Sequence, residues 1–144
     1  MNPAQTGVED LLPHRDRMRL VNEIVEVNAR KAVTRTRVSA QWPFFDGGAV
    51  NALVLVELVA QTAGINNSWG GKIKHGRDFV TRGWLVGIKN ARFYIDAVPL
   101  NTCLVTRAVN QFELDDYRVV KGTVDMDGKI IAEVELQLVQ SDGD

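Results

Sequence analysis

Glu57 and Gln61 stand four residues apart in an otherwise apolar run that extends from Ala52 to about Asn66. In a helix that spacing puts both side chains on one face, one turn apart. A carboxylate buried without partners is strongly disfavoured, so it must find donors or keep its proton. A carboxyl group poised in this way can exchange a proton with a substrate, which is general acid–base chemistry. The same spacing also fits a helix face that meets water or a second subunit, with Glu57 hydrated.

Just upstream, Phe44-Phe45-Asp46-Gly47-Gly48 leads into Asn51 and Ala52. Gly47 and Gly48 mark a loop with unusual dihedrals or a close approach to something else. Asn51 reads as the N-cap of a helix that starts at Ala52. Free amides at such a terminus, with the helix dipole behind them, can polarise a carbonyl or hold an anion. The alternative is that the two glycines serve only a tight turn.

The chain has two histidines. His14, after Pro13, reads as a structural hydrogen-bonding residue or an alternative base, and His75 reads as exposed. No spacing of His, Cys or carboxylates resembles a ligand set, so neither metal nor cofactor is expected. Ser39, Ser68 and Ser141 lack the glycine context of a nucleophile elbow. Cys103, inside a strand, reads as inert packing. Between Lys72 and Arg92 lie six bases, Lys72, Lys74, Arg77, Arg82, Lys89 and Arg92, against the single acid Asp78. Such a segment is either a solvated surface or a site for an anionic partner.

The elements that must position these residues are legible in outline. Val8 to Leu12 is a short apolar turn ended at Pro13. Leu20 to Val27 and Val33 to Ala40 read as a hairpin turning at Asn28 to Lys31, with period-2 alternation in the second strand. Trp42 to Val50 reads as irregular. The apolar run is the one long helix, buried on most faces. Asn67 to Arg82 reads as a glycine-rich basic connection. Gly83 to Tyr94, Asn101 to Phe112, Tyr117 to Met126 and Lys129 to Gln140 read as strands, the last two joined at Asp127-Gly128 by a two-residue turn. Val134 to Leu138 alternates apolar and polar, as an antiparallel sheet with one wet face requires. The expected class is α+β, a run of antiparallel strands around one buried helix.

The chain has 144 residues, and that length fits a single domain, 1–144. With 45% hydrophobic and 24% charged residues it has the material for a core, which excludes general disorder. A net charge of -1 argues against nucleic acid as partner. No apolar stretch is long enough for a membrane span, one cysteine forms no internal disulfide, and no signal peptide is visible. The expectation is a soluble, cytoplasmic protein.

Several of these segments together resemble the hotdog-fold 3-hydroxyacyl-acyl carrier protein dehydratases of the FabA/FabZ type. The resemblance rests on Leu11-Leu12-Pro13-His14-Arg15 followed by Met18, Leu20 and Val21, and on Pro43-Phe44-Phe45-Asp46-Gly47. It continues through Leu55-Val56-Glu57-Leu58-Val59-Ala60-Gln61, Gly87-Ile88-Lys89-Asn90-Ala91-Arg92-Phe93 and Val98-Pro99, and spans roughly residues 10–140. It implies a curved antiparallel sheet wrapped around one long helix, in a dimer whose sheets become continuous and whose active site lies at the interface. By that resemblance Glu57 is the acid, Gln61 orients it, and amides near Ala52 hold the thioester oxygen.

The family's histidine follows the Phe-Phe-x-Gly element, and here that position is Gly48. The shortened loop looks like the divergent branch found with aryl-polyene and related lipid biosynthesis. Members of that branch can lack the histidine and work as partners of a complete dehydratase-like subunit. The resemblance thus implies an acyl carrier protein or coenzyme A thioester as ligand, the six bases as the carrier-binding surface, and a homodimer or a heterodimer with another hotdog subunit. Three functions fit: a dehydratase-type protein, a thioesterase in which Glu57 activates water, and a silent acyl-binding or assembly subunit.

Overall fold

A computed structural model describes residues 6–12 and 18–142. Its elements in chain order are α1 (Val8–Leu11), β1 (Glu23–Val27), β2 (Lys31–Arg37), β3 (Phe45–Asp46), β4 (Ala49–Asn51), α2 (Val54–His75), β5 (Thr81–Phe93), β6 (Ala97–Pro99), β7 (Cys103–Leu114), β8 (Tyr117–Met126) and β9 (Lys129–Asp142). Six strands form one antiparallel sheet in the order β1-β2-β7-β8-β9-β5, and all six touch α2. A second sheet, β3-β4-β6, lies beside the start of the helix. This is the α+β arrangement expected from the sequence.

Alternation decides which face meets the helix. On β9, Ala132, Val134, Leu136 and Leu138 are buried, while Glu133, Glu135 and Gln137 between them keep partial exposure. Against them α2 buries Val54, Leu55, Leu58, Val59 and Ile65. The approach is close at Gly122 of β8, where a Cβ would run into the Val59 side chain. The two hairpin turns form where expected. Asn28 Oδ1 accepts from the amides of Arg30 at 2.9 Å and Lys31 at 3.0 Å. Asp127 and Gly128 both take positive φ, 52° and 83°, as a primed two-residue turn requires.

Several boundaries differ from the sequence reading. The helix does not begin at Ala52 and end near Asn66; it runs from Val54 to His75, through Gly70 and Gly71. Glycine disfavours helix by about 1 kcal/mol relative to alanine, but here packing outweighs propensity. Asn66, Asn67, Trp69 and Gly71 are all buried, and Gly71 leaves room for Phe79 and Thr81 where the chain returns. The supposed connection from Asn67 to Arg82 therefore shrinks to residues 76–80. The first strand starts at Glu23 rather than Leu20, because the Leu20 amide is engaged by a helix side chain. The strand expected from Asn101 starts at Cys103, since Asn101 has φ 65° in a turn. The irregular Trp42 to Val50 segment contains the β3-β4 hairpin.

Candidate functional site

Gln61 is 1% exposed and fully engaged. Its Oε1 accepts from the Leu20 amide at 2.9 Å, and its Nε2 donates to the Met18 carbonyl at 2.7 Å and to Glu57 Oε1 at 3.1 Å. Only this orientation of the amide matches one N–H donor on one side and two acceptors on the other. Gln61 therefore ties residues 18–20 to the helix and presents a donor to Glu57. Glu57 itself is half-buried.

Both side chains open onto a cavity of about 710 Å³ between α2, α1 and β5. The helix lines it with Glu57, Gln61, Ser68 and Lys72, and the strand lines it with Trp84 and Leu85. From Glu57 to Lys72 is fifteen helical steps, about 22 Å at 1.5 Å each. A volume of this size, with a lining surface that is mostly apolar and polar side chains along the helix wall, suits an extended small-molecule chain.

The other residues singled out from the sequence fall elsewhere. Gly47 and Gly48, with φ 62° and 100°, are the two central residues of the hairpin joining β3 to β4. They are exposed and lie outside the lining of the cavity. Asn51 is not the N-cap; that position is Leu53, and Asn51 Oδ1 accepts from the Leu53 amide at 2.9 Å. The Ala52 amide donates to the Asp96 carbonyl at 2.9 Å and the Asn51 amide to Phe44 at 3.0 Å. Those two N–H groups are thus engaged within the protein. His14 lies outside the described residues.

The six bases separate. Lys72 and Lys74 sit in the last turn of α2, where cations complement the dipole. Lys72 Nζ donates to the carbonyls of Arg77 at 2.9 Å and Phe79 at 2.8 Å, fixing the turn that follows. Arg82, Lys89 and Arg92 lie on β5, with Lys89 paired to Glu135 at 3.4 Å. Of the six, Lys72 and Arg82 line the cavity. His75 is exposed, its ring 4.3 Å from that of Phe79. Cys103 is exposed at the first residue of β7 rather than packed inside a strand.

A family model described as ApeP-like, ApeP dehydratase, matches residues 6–144. The chain belongs to the ApeP-like family. As an ApeP-like dehydratase relative it is 29% identical over 142 residues to the 3-hydroxyacyl-[acyl-carrier-protein] dehydratase FabZ of Anaeromyxobacter dehalogenans strain 2CP-C, covering 94% of this chain and 89% of that one. FabZ of Burkholderia mallei strain SAVP1 is 28% identical over 132 residues, 88% of this chain and 83% of its own. Among solved structures, the dehydratase heterocomplex ApeI:P from Xenorhabdus doucetiae aligns with TM-score 0.84 and 21% identity, over 94% of this chain and 91% of that one. A hypothetical thioesterase with coenzyme A from Streptococcus pneumoniae TIGR4 aligns with TM-score 0.67 and 14% identity, over 84% and 86%. The ApeP-like chain thus has the hotdog fold.

Two features of the site escaped the sequence. Gly64, Asn67 and Ser68 also line the cavity, and they continue the spacing of Glu57, Ala60 and Gln61 along α2. Extending that period past Gly64 would have found them. The second is the contribution of β5, which read simply as a strand and whose apolar residues stay exposed at the sheet edge: Trp84 is 52%, Val86 58% and Ile88 51% exposed. Among the described residues no helix is long and apolar enough to cross a membrane.

Proposed function

We propose that this chain is the histidine-lacking subunit of a 3-hydroxyacyl-acyl carrier protein dehydratase in polyene-type lipid or fatty-acid biosynthesis, and that a second hotdog subunit completes its site. The observation that carries the reading is the Glu57–Gln61 pair on a cavity walled by an edge strand of the large sheet. The reaction removes a proton from C2 and the hydroxyl from C3, which leave together as water, and forms the trans-2-enoyl thioester. Glu57, held by Gln61, serves the departing hydroxyl. The base that takes the C2 proton comes from the partner, because the corresponding position here is Gly48.

The two edges of the large sheet support pairing along β5. At one edge, β1 has five residues, a register irregularity and exposed Glu23 and Glu26, features that discourage strand addition. At the other, β5 has thirteen residues with Trp84, Leu85, Val86 and Ile88 exposed. An edge that long and apolar is an aggregation hazard unless another strand covers it. Pairing there also closes the open side of the cavity. Arg82 at its rim and the nearby Lys74 and Arg77 favour an anionic carrier, acyl carrier protein or coenzyme A.

The test is an assay of the chain alone and mixed with a histidine-bearing hotdog subunit, following enoyl product and free thiol separately on 3-hydroxyacyl-acyl carrier protein. The expected result is enoyl product in the mixture and little from the chain alone. General base catalysis supplies about 10²–10⁴-fold, so the contrast should be large. Full-rate dehydration by the chain alone overturns the shared site. Free thiol without enoyl product replaces it with thioester hydrolysis by Glu57.

A further inference from the structure

We infer that the charges on β5 select against a second copy of this chain and in favour of a partner whose edge strand carries acids. The inference rests on the reading that β5 pairs with a hotdog partner, and it adds which partner that edge accepts. The strand Thr-Arg-Gly-Trp-Leu-Val-Gly-Ile-Lys-Asn-Ala-Arg-Phe has three bases and no acid. Lys89 is neutralised by Glu135 of its own chain. Arg82 and Arg92 are exposed, and neither is ion-paired among the described residues.

Their register places them together. Arg82 is opposite Ser141 and Arg92 opposite Glu133 on β9, and residues directly opposite point to the same face. That face is the outer one of the sheet, because Val134, Leu136 and Leu138 of β9 occupy the inner one, although Arg82, at the start of its strand, also borders the cavity. Gly87 is the middle residue of the thirteen. A two-fold antiparallel pairing of two copies that overlaps the whole strand therefore centres on Gly87. It sets Arg82 of each copy opposite Arg92 of the other. Like charges directly opposite destabilise a strand pair, and the symmetry produces the clash twice. A partner strand with acids at those two places converts both clashes into attractions while keeping the apolar contacts of Trp84, Val86 and Ile88. Repulsion of the wrong partner, added to contacts that any strand would make, is how specificity is set between similar surfaces.

The test uses Arg82→Glu, which leaves Ser141 as its own neighbour and puts an acid opposite Arg92 of the second copy. Sedimentation equilibrium at low and high salt should show weak self-association of the wild type that salt strengthens by screening the repulsion. Arg82→Glu should self-associate roughly tenfold more tightly, and salt should weaken it. Native mass spectrometry of wild type mixed with the Arg82→Glu/Arg92→Glu variant should show the mixed dimer above its statistical share. Self-association of Arg82→Glu no tighter than wild type, or a salt response of the same sign in both, overturns the inference. Amide hydrogen exchange separates the two claims. If the dimers form without protecting residues 81–93, pairing along β5 has failed. If those amides are protected but the charge change has no effect, the pairing stands and the selection by charge has failed.

Discussion

Gln61 Nε2 lies 3.1 Å from Glu57 Oε1 and 2.7 Å from the carbonyl of Met18, so one buried amide joins the candidate acid to the segment ahead of the first strand. The placement of Glu57 is therefore built from a side chain that also holds tertiary structure. Removing that side chain should affect stability and chemistry together, whereas changing Glu57 should affect chemistry first.

Gln61→Ala leaves the Leu20 amide and the Met18 carbonyl without their partner. Buried polar groups left unpaired disfavour folding by about 1–3 kcal/mol each. A loss of roughly 2–4 kcal/mol should appear in urea unfolding. A variant as stable as wild type would show that the amide is not holding the segment.

Gly122→Ala pushes a methyl into the Val59 side chain at a close approach of α2 to the sheet. Overpacking of this kind destabilises by about 1–3 kcal/mol. Val59→Ala should relieve part of that loss when combined with it, so the two substitutions should be non-additive in a double-mutant cycle. Additive effects would place the strain elsewhere.

Gly48→His puts an imidazole where the resemblance locates the family's base, but on backbone with φ 100°. A residue with a Cβ is disfavoured there by about 1–2 kcal/mol. The position also lies outside the lining of the cavity that holds Glu57. The expected outcome is a modest drop in melting temperature and no gain in dehydration by the chain alone. Substantial activity from this single change would mean that the loop can reach Glu57.

Lys72→Met removes both bonds from its ammonium to the carbonyls of Arg77 and Phe79. The turn at residues 76–80 should exchange its amides faster, with roughly 1 kcal/mol lost globally. Unchanged exchange would return Lys72 to the role of a simple surface charge.

Much of the fold was legible because its signals were local. Alternation in Val134 to Leu138, the turn residues Asp127-Gly128 and the β-branched run at Val33 to Val38 each specify a strand or a turn by themselves. The Glu57–Gln61 relation was legible because a helix has one period and the two residues obey it. What was missed depends on tertiary contact. Gly70 and Gly71 read as a break, yet the returning chain at Phe79 and Thr81 packs on Gly71 and keeps the helix going. Asn51 has the right side chain for an N-cap but is paired in β4, so its oxygen turns to Leu53 instead. The amide of Ala52 looked available until Asp96 arrived from forty-four residues away. The apolar residues of β5 carry the same pattern as a core strand, and only the sheet order reveals that they stand at an edge.

The most direct measurement is single-turnover dehydration of 3-hydroxyacyl-acyl carrier protein by the chain bound to a histidine-bearing hotdog subunit, comparing wild type with Glu57→Gln. The amide keeps the shape of the side chain but neither gives nor takes a proton as a carboxyl group does. Glu57→Gln should bind the subunit and the acyl carrier protein as wild type does while enoyl formation falls by about 10²-fold or more. Enoyl formation at the wild-type rate, with binding intact, would contradict this expectation and leave this chain as a scaffold for the partner's own site.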